Sequence, residues 1–146
     1  MEKSVSDFAR IKETFECAEV DVRSFSPLTL AYIGDCVYDL IIRTVVVERG
    51  NRAANLLHRA TVKYVKAPAQ ASVIEALWDD LTEEEQAVYK RGRNAKSHTA
   101  AKNASTLDYR KATGLEALVG YLYLTDRFER ALELTKLGLE KAGYSI

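Results

Sequence analysis

Two acidic residues, Asp35 and Glu116, stand out because each lies alone in a long apolar segment. Asp35 lies in LAYIGDCVYDLIIR and Glu116 in TGLEALVGYLYL. A carboxylate in apolar surroundings is costly unless a partner neutralises it. Carboxylate oxygens suit Mg²⁺, which keeps several waters and needs only one or two protein carboxylates. Such an ion can polarise a phosphate and deliver hydroxide to it, so the two residues are candidates for metal-assisted phosphodiester chemistry.

The spacing around Asp35 narrows the choice of its partner. Ala31, Asp35, Asp39 and Arg43 recur every four residues and therefore share one face of a helix. Arg43 can pair with Asp39 one turn away, but it lies on the order of 12 Å from Asp35 along the helix axis. Asp35, which we expect to be buried, therefore needs a partner, which is either a metal ion or a helix donor or basic residue from elsewhere in the core. Glu116, taken alone, is more typical of a satisfied structural carboxylate.

A third segment that could take part in binding is KRGRNAKSHTAAKN, which begins at Lys90. Lys and Arg at this density, with Gly, Asn and Ser between them, can bind phosphates through side chains and backbone N–H groups. The alternative is a solvated basic run. The candidate RNA-binding residues in this segment are Lys90, Arg91, Arg93, Asn94, Lys96, Ser97, His98 and Lys102.

Composition and motifs exclude several other classes of protein. The chain has 146 residues and no net charge, which suits one globular domain and argues against a wholesale basic nucleic-acid binder. Its 2 Cys and 2 His show no zinc spacing and no disulfide framework, and we expect Cys36 to be a small core residue. We find no Walker loop, nucleophile elbow, signal peptide or membrane span, so a cytoplasmic location is expected.

The elements that must position these residues are predicted to be helices. Ser26-Pro27 predicts a helix start, because Ser is a good N-cap and Pro is preferred in the first turn. This helix should run to Gly50, and its nearly continuous apolar surface predicts that other helices surround it. In the helix around Glu116, Gly120 is expected to permit close approach of another backbone.

Further helices are predicted at about residues 51–65, from Pro68 onward, 82–91, 105–125 and 126–141. Asn51 should cap the first of these, and Thr82 with Glu85 should form a capping box. Residues 92–104 lack periodicity and are expected to form an exposed loop, and the whole chain is expected to be all-α. The inward-facing residues of these helices are expected to include Leu56, Leu57, Val62, Val73, Ile74, Leu77, Trp78, Val88, Phe128, Leu132, Leu134 and Leu139.

The two apolar segments resemble the two signatures of ribonuclease III catalytic domains. LAYIGDCVYDLIIR is similar to the first, a Leu/Ile-Gly-Asp followed by an apolar run, and LEALVGYLYL is similar to the second, Glu-Ala-Leu-Ile/Leu-Gly-x-Leu/Ile-Tyr-Leu. Their order, the Tyr-Ile-Gly-Asp form and the intervening KRGRNAKS resemble the Mini-ribonuclease III branch of that family. The resemblance covers residues 27–126 and implies a ribonuclease III-type helical bundle, with residues 1–146 as a single catalytic domain lacking a double-stranded RNA-binding domain.

This resemblance implies an Mg²⁺-dependent endoribonuclease, with Mn²⁺ as a substitute, that works on double-stranded RNA as a homodimer. It also implies the large-subunit ribosomal RNA precursor as substrate, and neither DNA nor a membrane as partner. Asp35 falls on the family's invariant Asp and Glu116 on its catalytic Glu, which implies both as catalytic residues and metal ligands. Two further carboxylates of the family are Ala31 and Thr113 here, so fewer protein ligands are expected.

Two alternatives stay open at this point. A non-catalytic relative, such as a helical RNA-binding or ribosome-associated scaffold, is favoured by Ala31 and Thr113. The presence of Asp35 and Glu116 weighs against it, because a scaffold has no need of their desolvation cost. An all-α protein-interaction domain without an RNA role is the other alternative, and the basic segment weighs against it.

Overall fold

A computed structural model describes residues 5–96 and 106–146. Within these ranges the chain forms seven α-helices and no strand, which confirms the all-α prediction. Short 3-10 turns lie at Val22–Ser24 and Trp78–Asp80. The helices are α1 (Asp7–Thr14), α2 (Pro27–Glu48), α3 (Ala54–Val65), α4 (Ala67–Leu77), α5 (Glu83–Asn94), α6 (Thr106–Leu124) and α7 (Phe128–Lys141).

Helix α6 is the centre of the fold. Helices α2, α4, α5 and α7 all pack on it, while α3 packs on α2 and α4. Leu118 and Leu122 of α6 are fully buried and join one large apolar core. Burying a Leu side chain stabilises a fold by about 1.5–3 kcal/mol, so the apolar length of α6 fixes its central position.

Local sequence signals set the ends of the two helices that flank α6. Ser26 accepts a hydrogen bond from the Thr29 amide at 3.2 Å, and Pro27 opens α2 as predicted. The predicted capping box of α5 is present, with the Thr82 amide donating to Glu85 at 2.9 Å and the Glu85 amide donating to Thr82 at 3.1 Å. The buried Glu85 carboxylate also pairs with Arg130 at 2.8 Å, which fastens α5 to α7.

The prediction that other helices surround α2 is wrong for this chain. One face is buried, but Tyr32, Leu40 and Val47 on the other face are exposed. Cys36 lies on the same open face and is not a core residue. The apolar pattern could not distinguish packing inside one chain from a surface left open for another molecule.

Three further expectations are corrected. Helix α3 begins at Ala54 rather than at an Asn51 cap, and its Leu56 and Val62 are exposed, because Thr61 and Tyr64 occupy the inward face. Leu132 of α7 is likewise exposed. Helix α5 continues to Asn94, so residues 92–94 are helical and not part of a loop. None of the helices in the two described ranges is long and apolar enough to span a bilayer.

Candidate active site

A close crossing of α2 and α6 forms the frame of the candidate site. A methyl group on Gly34 would lie 1.7 Å from the Glu116 carbonyl oxygen, and one on Gly120 would lie 2.0 Å from the Leu30 carbonyl oxygen. Only glycine fits at these two positions, which confirms the close approach predicted at Gly120. The crossing places the residue after Gly34, which is Asp35, beside Glu116.

The two carboxyl groups lie side by side at this crossing and influence each other's ionisation. Burial raises the pKa of Glu116 to about 9, and the hydrogen bond and the negative charge of Asp35 act in the same direction. Glu116 is half-buried, whereas Asp35 is exposed, so the expectation that Asp35 is buried is wrong. Among residues 5–96 and 106–146, the group that faces Asp35 is the Glu116 carboxyl group, and Glu116 is protonated at neutral pH.

The carboxyl pair faces an open cavity of about 700 Å³ between α2 and α6. Asp39 also lines this cavity, and its Oδ2 lies 2.7 Å from Nε of Arg43, which confirms the predicted pair. The cavity wall is formed by Leu28, Ala31, Tyr32, Ile33, Asp35, Cys36, Asp39, Tyr109, Thr113 and Glu116.

Sequence reasoning missed several of these wall residues. Leu28, Tyr32 and Cys36 follow each other at intervals of four, next to the stripe that contains Asp35. That spacing was a usable signal for a second cavity wall on α2. Tyr109 offered no such signal, because its place in the wall depends on how α6 crosses α2.

The donor set suits a small hard cation with few protein ligands. Within residues 5–96 and 106–146, no group of three or more His, Cys, Asp or Glu side chains is arranged to hold a metal. Ala31 and Thr113 line the same cavity but add no carboxylate, and the Thr113 hydroxyl donates to the Tyr109 carbonyl at 3.0 Å. Asp35 and Glu116 are the residues that would hold such a cation, and water would complete its coordination.

A second glycine crossing joins α5 to α6 beside the cavity. A methyl group on Gly92 would lie 2.7 Å from Cβ of Ala117 and 3.3 Å from the carbonyl oxygen of Thr113, which is a cavity residue. The basic end of α5 is therefore adjacent to the cavity. Lys90, Arg91, Arg93, Asn94 and Lys96 lie on this end, whereas Ser97, His98 and Lys102 lie outside the described residues.

The cations at this end of α5 contact aromatic rings and neutral oxygens. Lys90 Nζ lies 5.5 Å from the centre of the Trp78 ring, and the Arg93 guanidinium lies 5.6 Å from that of Tyr89. Arg91 donates to a backbone carbonyl at 3.4 Å. In the described part of the chain none of the three forms an ion pair with an acidic residue, so their charges are available to an anion.

Comparisons with known proteins identify the family of the chain. The Ribonuclease III domain family matches residues 28–127. The chain is 48% identical over 140 residues to Mini-ribonuclease 3 of Thermoanaerobacter sp. (strain X514), which covers 96% of this chain and 97% of that protein. It is 50% identical over 125 residues to Mini-ribonuclease 3 of Enterococcus faecalis, which covers 84% of this chain and 95% of that protein.

The fold also matches a solved structure. A crystal structure of a protein from Fusobacterium nucleatum superposes with a TM-score of 0.74 at 28% sequence identity, covering 84% of this chain and 98% of that one. The family match spans both glycine crossings and both candidate carboxylates. The chain belongs to the ribonuclease III family of endoribonucleases.

Proposed function

We propose that this protein hydrolyses double-stranded RNA and that Asp35 and Glu116 are its catalytic carboxylates. The observation that carries the proposal is that these two carboxyl groups lie side by side on the wall of an open cavity. No structural need for this arrangement is evident, because placing two acids together is unfavourable in the absence of a proton or a cation. A functional site is the simplest reason for retaining it.

Asp35 and Glu116 are also the proposed ligands of a divalent cation, Mg²⁺ or Mn²⁺ in its place. A bound ion of this kind would polarise the phosphate and activate a water molecule. Asp35, which is exposed at the cavity, and the half-buried Glu116 would hold the ion, and Glu116 would have to lose its proton to bind it. Two carboxylates and water are a sufficient set of ligands for Mg²⁺.

The basic end of α5 is proposed to hold the RNA next to the cavity. Double-stranded RNA is recognised largely through its phosphates, 2′-hydroxyls and shape, because its deep major groove admits side chains poorly. Cations without acidic partners, fixed beside the cavity by the Gly92 crossing, suit such contacts. The proposed contacts are Lys90, Arg91, Arg93, Asn94 and Lys96, together with Ser97, His98 and Lys102 from outside the described residues.

The protein is proposed to act as a homodimer through the open face of α2. Tyr32 is 81% exposed, Leu40 59% and Val47 53%, and such a row of apolar side chains is costly in water. Leu28, Tyr32 and Cys36 belong both to this face and to the cavity wall. A second copy seated on α2 would therefore cover the apolar row and border the cavity.

The proposed substrate is the large-subunit ribosomal RNA precursor, processed in the cytoplasm. Support for this comes from the similarity to proteins named Mini-ribonuclease 3. A single catalytic domain over residues 1–146 is proposed on the same grounds. The scaffold alternative keeps one specific observation in its favour, which is the absence of carboxylates at Ala31 and Thr113.

Cleavage of a long duplex RNA by the Asp35→Asn variant tests the proposed function. The amide keeps the shape of the side chain but removes the charge, so cleavage with Mg²⁺ should fall at least a hundredfold while the helix content is unchanged. Wild-type protein without Mg²⁺ should also be inactive. Asp79→Asn, the same change at an exposed residue outside the cavity, should cleave normally. Wild-type protein that never cuts the duplex, or an Asp35→Asn variant as fast as wild type, would favour the scaffold.

A further inference from the structure

The longest stretch of the chain without an acidic residue runs from Arg49 to Ile74. It contains five Lys and Arg residues, although the whole chain has no net charge. This stretch includes all of α3, which lies far along the sequence from the basic end of α5. Neither the carboxyl pair nor the proposed α5 contacts account for this concentration of positive charge.

Four of these cations form a row along the outer side of α3. Arg59 and Lys63 lie one helical turn apart, and Arg52 and Lys66 flank the two ends of the helix. All four are exposed, while the opposite side of α3 is buried through Thr61 and Tyr64. We call Arg52, Arg59, Lys63 and Lys66 the α3 ridge; α3 itself is about 18 Å long at 1.5 Å per residue.

The α3 ridge has no acidic partner within residues 5–96 and 106–146. In these ranges, the charged groups of the ridge make one contact: Lys63 Nζ lies 5.5 Å from the centre of the Tyr64 ring. Arg49, the fifth cation of the stretch, is excluded from the ridge because it donates to the Ile146 carbonyl at 3.1 Å. Four neighbouring like charges without anions repel each other, so an anionic partner would relieve a cost that the free protein bears.

One end of the ridge is attached to the helix that carries Asp35. The Tyr38 hydroxyl donates to the carbonyl oxygen of Tyr64 at 3.3 Å, which fastens the last turn of α3 to α2. Helix α2 also carries Asp35, three residues before Tyr38. The ridge therefore begins at Lys66, at the end of α3 that is fastened to α2, and continues along α3 from there.

We propose that the α3 ridge is a second phosphate-binding surface, which holds the substrate duplex at a distance from the bond that is cut. This inference rests on the proposed function, since its partner is the same double-stranded RNA. A duplex carries phosphates at regular short intervals, so a polyanion lying over the cavity extends naturally along a row of cations. The α5 end and the α3 ridge would then hold the RNA at two separate places.

The test is the binding of long duplex RNA to Arg59→Ala/Lys63→Ala in an Asp35→Asn background, measured against salt concentration. We expect binding about tenfold or more weaker, and a log–log salt slope reduced by roughly two units, because about one unit is lost with each phosphate contact. Arg59→Glu/Lys63→Glu should weaken binding further. In the otherwise wild-type enzyme the alanine pair should raise KM and leave kcat unchanged, because the ridge does not touch the reacting phosphate.

Arg10→Ala/Lys136→Ala is the matched control, since it removes two exposed cations from α1 and α7 and lowers the net charge equally. Binding and slope should change little in this control. If both pairs of substitutions weaken RNA binding equally, or if the α3 pair leaves binding unchanged, the proposal that the ridge binds phosphates is wrong. If wild-type protein cleaves the duplex while the ridge variants bind it normally, only this inference fails; if wild type does not cleave it, the proposed function fails first.

Discussion

The surroundings of Glu116 are poorly suited to a negative charge. Its pKa of about 9 means that it stays protonated in the folded chain while a Glu in the unfolded chain ionises near 4.5. The folded state therefore binds more protons than the unfolded state between these two values, and stability must fall as pH rises through that window. This loss of stability arises at the carboxyl pair that is proposed to bind a cation, and a bound cation would reverse it.

Glu116→Gln should accordingly make the metal-free protein more stable while removing its activity. The gain in Tm should be several degrees at pH 8 and should shrink toward pH 5, because wild-type Glu116 is then increasingly protonated in both states. Thermal unfolding at both pH values in the presence of a chelator measures the effect. Glu140→Gln, on the exposed side of α7, is the control and should be neutral. Equal Tm values for Glu116→Gln and wild type at pH 8 would contradict the assigned environment.

At this scale the sequence predicted which carboxylates to examine, but not their surroundings. Isolation in an apolar segment was enough to select Asp35 and Glu116, and four-residue spacing was enough to pair Asp39 with Arg43. The exposure of Asp35 and of Cys36 could not be predicted, because it depends on which face of α2 the rest of the chain covers. The catalytic roles of Asp35 and Glu116 stay predictions that the cleavage experiment must decide.

Among the helices, the α2–α6 crossing is the contact on which the site depends. Its two glycines allow backbone to meet backbone, so the carboxyl groups approach more closely than packed side chains would permit. Overpacking a close contact typically costs 1–3 kcal/mol, and more when the obstacle is backbone that cannot move aside. The geometry of the crossing and the geometry of the carboxyl pair must therefore change together.

Gly120→Ala should destabilise the protein by about 3 kcal/mol or more, because its new methyl group would meet the Leu30 carbonyl. Denaturant unfolding gives the loss of free energy. Any folded fraction should also cleave poorly, since α2 must move away from Glu116. Gly50→Ala is the control: nothing lies within 4 Å of the added carbon, so its stability should match or slightly exceed that of wild type. A Gly120→Ala variant with the wild-type denaturation midpoint would show that the crossing has space for the added methyl group, contrary to this prediction.

Helix starts were predictable where a local rule applied, as at Ser26-Pro27 and at the Thr82–Glu85 capping box. The inward face of α3 was not predictable. Tyr64 turns inward because its hydroxyl donates to the Ser145 carbonyl at 2.6 Å and its ring packs edge-to-face with that of Tyr144. That contact joins residues far apart in sequence, and no local pattern reports it. The helical state of residues 92–94 was missed for the same reason, since Gly92 is held by its contact with α6.

For the whole molecule, the open apolar face of α2 sets the expected assembly. Leu40 lies in this face but not in the cavity wall, so changing it separates assembly from chemistry. Leu40→Glu should convert a dimer at micromolar concentration into a monomer with unchanged helix content, because a charge would be buried unpaired at a two-fold contact. Sedimentation measures the mass.

Leu132→Glu supplies the matched control, since Leu132 is an exposed apolar residue of α7 outside this face. That variant should keep the wild-type mass. A wild-type protein that sediments only as a monomer at micromolar concentration would remove the open face of α2 as an interface between copies. Its exposed side chains would then need another partner.

Both glycine crossings use α6: a methyl group on Gly92 would also lie 3.0 Å from Cα of Gly114, which is six residues before Gly120. This interval is about 9 Å of continuous α-helix at 1.5 Å per residue. Under the proposed function, one crossing positions the cleavage site and the other positions the cations that bind the phosphates. The distance between cleavage site and phosphate contacts is then set by the rise of one continuous helix, with no loop or hinge between them.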